Sequence, residues 1–390
     1  MSRRRSAYTG NGTEPAKTGG VATQDKLGMA PGEQDTLSGI QNWSRKDRAV
    51  LQDRRTLLSR ALHRPEATAL AGTIAVFVFF AIMAGNNGFL SKSGALNYLE
   101  VSSEIGIIAV PAALLLIAGE FDLSVGSTMG ACGVAFAYPI VYLGWPMWGG
   151  IACALIVAIL IGLVNGILVA KTPVPSFIVT LSMMFIVEGI ATALTQQWTG
   201  GTQIGNISEA VAHAPLVWLF NGQVDGFSAE IFWWVAVTAI GAWVLDRTRS
   251  GNWIYAVGGN RQAAQKIGIP VQRVQIMLYI FTAVAAAIVG ILVTLSVNVA
   301  DVASGGDMEF QVAAAAVIGG TLITGGFGSP IGTFLGSLLF GIANEGFYYT
   351  NLSDTWFEAF IGVMLLAAVL INLYTRKASL MRRPGRRRSA

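Results

Sequence analysis

Apolar runs of about twenty residues recur from residue 67 onward, and they constrain this chain more than any other feature, because a helix of that length crosses roughly 30 Å of hydrocarbon. Ten segments fit that ruler, at about 67–85, 99–118, 123–143, 147–170, 175–196, 230–246, 272–297, 308–323, 328–349 and 355–374. Inside lipid every backbone polar group must be bonded within the protein, and consecutive apolar runs satisfy this as helices. The expected fold is all-α: a polytopic membrane helical bundle of about ten transmembrane helices, with glycine-rich breaks marking broken or half-helices. Composition agrees, since 53% of the 390 residues are hydrophobic and 12% charged, against about one quarter charged in soluble domains.

The ends differ in kind. Residues 1–65 are polar and hold no spanning run, so they read as a mostly disordered cytoplasmic tail. Within them 45–64 forms a partial amphipathic stripe, suited equally to an anionic membrane surface and to solvent. Residues 66–375 form the transmembrane domain and 376–390 a basic cytoplasmic tail. About sixty polar residues precede the first apolar run, so no signal peptide is expected. Cys132 and Cys153 stand in apolar runs and read as small buried hydrophobes.

Lys and Arg accumulate on the cytoplasmic side of membrane proteins. With the N-terminus inside, the tail to Arg64 holds 12 basic residues, the loop at Lys171 holds 1, the loop 247–273 holds 5 and the tail from Arg376 holds 7, leaving Lys92 as the exception. Both termini are therefore expected in the cytoplasm. The longest external loop, 197–229, has no Lys or Arg but carries Glu209, Asp225, His213, Trp218 and Phe220. Interfacial aromatics and a docking surface for an external partner are both open readings of it.

Between the second and third runs stands GEFDLSVGS, residues 119–127, with Glu120 and Asp122. Asp122 or Ser124 is expected to cap the following helix, and Asp122 is expected to matter more than Glu120. A second glycine-rich stretch, GGTLITGGFGSPIGTFLG at 319–336, aligns with the first without gaps, pairing Gly119, Phe121, Gly126, Ser127 and Gly130 with Gly325, Phe327, Gly332, Thr333 and Gly336. Transport paths often form where such broken repeats meet. Candidates for lining or gating one are Gly119, Glu120, Phe121, Asp122, Ser124, Gly126, Ser127, Asn165, Phe177, Gly325, Gly326, Gly328 and Asn344. Glu104, Glu188 and Glu345 lie within apolar runs, where ionisable groups are costly.

On the inside, Asn260 to Ile267 reads as a short helix capped by Asn260 and stopped by Gly268. It rests either on the membrane surface or on a partner protein. There is no G-x-x-x-x-G-K-[ST] phosphate loop and no H-E-x-x-H site. No metal site and no catalytic residues are expected.

Four segments carry a resemblance. GEFDLSVGS resembles the G-x-[IF]-D-L-S-V-G-S signature of sugar permeases in bacterial ABC importers of the ribose/xylose/arabinose/galactoside class. PSFIVTLSMM (175–184), YAVGGNRQAAQKIGI (255–269) and AVIGGTLITGGFGSPIGTFLGSLLFGIANEGF (316–347) are similar to three further motifs of that family, in the same order. The chain departs from it at Ile267, where Ser is usual, and at Pro330. The resemblance implies a multi-pass inner-membrane permease passing a monosaccharide or related polyol. It also implies separate cytoplasmic ATPase subunits that hold ATP and magnesium, an extracytoplasmic sugar-binding protein, and a second permease copy or a homologous permease. It makes Asn260, Arg261, Ala263, Ala264, Lys266, Ile267, Gly268 and Ile269 the candidate ATPase contact, with Ala263, Ala264 and Ile267 as its apolar face. Two competing classes are a proton- or sodium-coupled secondary transporter using Glu188 or Glu345, and a channel or scaffold without energised transport.

Overall fold

The computed structural model describes residues 65–85, 87–350 and 355–381. The amphipathic stretch 45–64 and the end of the basic tail lie outside the described residues. Helix α1 (Pro65–Ala84) starts on a proline, whose missing N–H is unneeded in a first turn. Helix α2 (Lys92–Ile117) is capped by Ser91, whose Oγ accepts from Gly94 N–H at 3.0 Å, and it runs on past Pro111. There follow α3 (Val125–Leu143), α4 (Met147–Lys171) and α5 (Ser176–Thr199). The segment between α5 and the next long helix folds as β1 (Gln203–Gly205), the one-turn helices α6 (Ile207–Val211) and α7 (Val217–Asn221), and the hairpin β2 (Gln223–Val224) and β3 (Phe227–Ser228).

Helix α8 (Ala229–Arg247) leads into two shorter helices, α9 (Arg249–Gly259) and α10 (Arg261–Lys266). Then come α11 (Val271–Ser296), β4 (Val299–Asp301), α12 (Met308–Ile318), α13 (Pro330–Tyr349) and α14 (Thr355–Met381). Seven of these helices, α1 to α5, α8 and α11, are long and apolar enough to cross a membrane. The expected run 308–323 is corrected: α12 has 11 residues, about 16 Å, too short to span. The run 328–349 appears as the 20-residue α13.

Helices α2 and α11 form the interior, with α3, α4 and α13 packed on them. Close approach depends on small residues. Gly162 and Gly166 of α4 leave no room for a Cβ against Ile280 and Ile276 of α11, the small-residue contact that lets membrane helices touch. The outer faces of α1, α4 and α5 carry exposed Phe79, Ile82, Leu160, Phe185 and Ile190. Such surfaces suit lipid and would be a liability in water.

Candidate functional site

The turn after α2 ends its helix with a left-handed glycine. Gly119 has φ of 86°, and Glu120 N–H donates back to the Leu115 carbonyl at 3.1 Å while Gly119 N–H donates to Leu116 at 2.9 Å. This is the Schellman arrangement, which favours glycine because positive φ strains a Cβ. Helix α12 ends in the same way: Gly320 has φ of 91°, Thr321 N–H donates to Ala316 at 3.0 Å and Gly320 N–H donates to Val317 at 2.9 Å.

The structural partner of Gly119 is thus Gly320, not Gly325 as the ungapped alignment expects. Four more residues separate Gly320 from Ser329, which caps α13, than separate Gly119 from Ser124, which precedes α3. They form a tongue closed by the Leu322 N–H to Phe327 carbonyl bond at 3.0 Å. Glycine-rich sequence hid this insertion because several registers match equally well.

Neither expected cap is present on α3. Ser124 makes no side-chain bond into the helix. Asp122 Oδ1 instead accepts from Ser124 N–H at 2.9 Å and from Ser124 Oγ at 2.7 Å, and Asn165 Nδ2 of α4 donates to Ser124 Oγ at 2.8 Å. Asp122, Ser124 and Asn165 are all buried, so this triad fastens the start of α3 to α4 and does not face open space. Burial pushes the Asp122 carboxyl up to about 6, against the two bonds from Ser124 that pull it down.

Glu120 points elsewhere. Its Oε1 accepts from Gln275 Nε2 of α11 and lies 3.5 Å from Arg261 Nη1 of α10. Burial raises its pKa, while Ser176, Arg261 and Gln275 draw it back down. The backbone of the same turn is held by Ser176 Oγ, which accepts from Phe121 N–H at 3.3 Å, and by Tyr279 Oη, which donates to the Phe121 carbonyl at 3.0 Å.

The second turn meets the first here. Gly326 N–H donates to the Ile117 carbonyl at 2.8 Å, and Tyr255 Oη of α9 donates to the Gly328 carbonyl at 3.1 Å. Gly258 sits where any Cβ would strike the Ile117 carbonyl and Gly326 N. Of the expected site residues, Gly119 to Ser127, Asn165, Gly325, Gly326 and Gly328 gather at this end. Phe177 stands exposed at the start of α5. Asn344 is about 20 Å along α13 from the turn and joins none of them.

Helix α10 is capped as expected: Asn260 Oδ1 accepts from Ala263 N–H at 2.9 Å, and Gly268 with φ of 85° ends it. The expected apolar face is corrected. Ala264 is 2% exposed and packs with Ile254, Val257, Val271 and Leu278, whereas Ile267 is 75% exposed. Ala263, Lys266 and Gly268 are exposed, and Arg261 and Ile269 are half-buried. The amphipathic helix α9 was not expected, since RSGNWIYAVGG contains three glycines; burial of Ile254 and Val257 stabilises it.

One feature had no sequence signal. Residues 299–307 run beside α3: a Cβ on Gly130 would strike the Val302 carbonyl, and one on Gly126 the Gly305 carbonyl. This backbone is non-helical alongside a spanning helix, and β4 within it pairs antiparallel with β1, Gln203 opposite Asp301. Ser304, Gly306 and Asp307 are exposed on it. Glu188, near the middle of α5, is also exposed, while Glu309 is buried with its Oε2 close to Gly126. Glu104 and Glu345 are half-buried on α2 and α13.

The family described as branched-chain amino acid transport system / permease component matches residues 94–369. The ribose import permease protein RbsC of Escherichia coli (strain K12) is 32% identical over 302 residues, covering 77% of this chain and 92% of the relative. The xylose transport system permease protein XylH of Escherichia coli (strain K12) is 29% identical over 363 residues, covering 80% and 92%. The inner membrane ABC transporter permease protein YjfF of the same strain is 30% identical over 313 residues, covering 77% and 90%. No solved structure matches the chain.

Proposed function

Because the chain belongs to the family of branched-chain amino acid transport system / permease components, we propose that it is the inner-membrane permease of an ABC importer for a monosaccharide or related polyol. The names of the ribose and xylose relatives support the substrate class. In this reading the chain conducts the solute and performs no chemistry. ATP and magnesium belong to separate cytoplasmic ATPase subunits, an extracytoplasmic binding protein delivers the sugar, and a second permease copy or homologue completes the path.

The distribution of Lys and Arg supports ten membrane-entering helices with both termini inside. On that orientation α10 lies in the cytoplasm, and its exposed Ala263, Lys266 and Ile267 are the contact proposed for the ATPase. The buried Ala264 then supports this helix from beneath.

The observation that carries the path is the non-helical stretch 303–307 beside α3, where Ser304, Gly306 and Asp307 are exposed. Open backbone at membrane depth is tolerated only inside protein or against water, and a carboxylate in the span, such as Glu188, is costly against lipid. Ser304, Asp307 and Glu188 therefore face a hydrated path, with the turn at 119–127 and the tongue at 321–328 gating its inner end. Neither face offers a Lys or Arg, which suits an uncharged polyol better than an anion.

Reconstitution with the cognate ATPase and binding protein tests the reading. ATP-dependent uptake of a pentose or hexose is expected, with Ser304→Cys and Asp307→Cys labelled by a water-soluble thiol reagent and the lipid-facing Ile190→Cys unlabelled. Uptake that persists without ATP and collapses with an ion gradient would favour an ion-coupled transporter using Glu188 or Glu345. Family membership weighs against that alternative.

A further inference from the structure

We propose that Glu120 is the positioning residue that transmits movement of α10 into the first glycine turn, through the Arg261–Glu120–Gln275 contact. The inference rests on the reading of α10 as the ATPase contact.

The α9–α10 hairpin touches both turns, but in different ways. Gly258 packs against the backbone of both, the Ile117 carbonyl on one side and Gly326 on the other, and toward the second turn the hairpin adds a neutral hydrogen bond from Tyr255 Oη to the Gly328 carbonyl at 3.1 Å. Toward the first turn it adds a charged side-chain link, Arg261 to Glu120 at 3.5 Å. Among the described residues this is the one ion pair. Glu120 then continues to Gln275 on α11, so a single carboxylate joins the first turn to two helices more than 140 residues further along the chain.

The geometry divides the work of the two acids. The Asp122 bonds close on Ser124 two residues away, and from there the network reaches only Asn165. Its role is local order. Glu120 has 11% of its side chain exposed, while Arg261 has 41%. The link therefore runs from the cytoplasmic surface to a shielded point on the turn. Arg261 is exposed enough that its end of the pair contributes little to folding stability, and Glu120→Gln keeps an acceptor for Gln275, so the link can be altered without dismantling the bundle. When α10 moves, Arg261 pulls Glu120, and residues 119–124 move the entry of α3 relative to α11. Gly119 provides the pivot, being in a conformation that other residues adopt poorly.

The test is the number of sugar molecules imported per ATP hydrolysed by the complete complex in proteoliposomes. Glu120→Gln should leave ATPase co-purification intact and lower this ratio on the order of tenfold, the loss matching one charge-assisted contact. The exchange Glu120→Arg with Arg261→Glu should recover a large part of it, a rescue that a merely structural role would not give. An unchanged ratio in Glu120→Gln, or a double variant no better than either single one, overturns the proposal. Should Glu120→Gln fail to assemble, Arg261→Gln reads the same link from its exposed end, and an unchanged ratio there overturns it equally. Ile267→Glu separates the underlying reading: if the ATPase still co-purifies with that variant, α10 is not its docking site, whatever Glu120 does.

Discussion

Asn165 Nδ2 donates to Ser124 Oγ at 2.8 Å, tying the start of α3 to α4 across 41 residues of sequence. Ser124 Oγ in turn donates a hydrogen bond to Asp122 Oδ1 at 2.7 Å, so the hydroxyl is used in both directions. Asn165 is fully buried, and removing it leaves the Ser124 oxygen without its donor and a small void. Ser124 keeps its bond to Asp122, so the loss is one hydrogen bond, about 0.5–1.5 kcal/mol, together with the void. Asn165→Ala is expected to lower the thermal midpoint of the purified permease by several degrees. An unchanged midpoint would mean that α3 is fastened by packing alone.

The same triad predicts a pH dependence. Burial raises Asp122 from 3.8 to about 6, so the folded protein holds this proton more tightly than the unfolded chain. The contribution is fully present below pH about 4 and is lost as pH rises through about 6, to a limit of roughly 3 kcal/mol for two pKa units. Asp122→Asn keeps an acceptor for Ser124 and has no charge to bury. It should match the wild type in thermal midpoint at pH 4 and exceed it at pH 8. Parallel midpoints across that range would show that the carboxyl does not titrate there.

Substitutions on the two faces of α10 should separate. Ile267 is exposed, and Ile267→Glu is expected to reduce ATPase co-purification several-fold with membrane insertion intact. Ala264 is buried against Ile254 and Val257, where overpacking costs about 1–3 kcal/mol. Ala264→Trp should therefore destabilise the hairpin itself, seen as faster proteolysis around 249–268, before any docking is measured. Normal proteolysis with lost docking would place Ala264 at the contact after all.

Gly126 and Gly305 abut so closely that a Cβ on either meets the backbone of the other. Backbone cannot yield as a flexible side chain does. Gly126→Ala should displace residues 303–307 and lower transport at least tenfold, a barrier change of about 1.4 kcal/mol, while the ATPase still co-purifies. Wild-type uptake in Gly126→Ala would detach this segment from the path.

Much of this architecture is legible in the sequence because it rests on local rules. The apolar runs give the spanning helices, and Asn260 with Gly268 gives the bounds of α10. Other features depend on contacts that no local rule encodes. The glycine turns are visible as turns, yet Gly320 and Gly325 are chemically identical, and only the hydrogen bonds of α12 tell which one stops the helix. Glu188 stands out as an acid in an apolar run, whereas Ser304 and Asp307 sit in a stretch without periodicity. Their depth follows from Gly126 and Gly130, nearly two hundred residues earlier. Burial of Ala264 likewise depends on α9, whose glycines argue against a helix.

The pairing of β1 with β4 also constrains how the chain is made. Gln203 meets Asp301 through 98 intervening steps of sequence, and a ribosome adding about 5–20 residues per second needs on the order of 5–20 s to supply the second strand. Until then residues 203–205 have backbone groups that lipid cannot satisfy. On the proposed orientation they wait in water outside while α8 to α11 are inserted, and pack beside α3 only when Val299 to Asp301 arrive. The joint entry of the two strands is thus a late step that only α12 to α14 follow, and a chain cut short before residue 299 should keep 200–206 open to a protease added on that side.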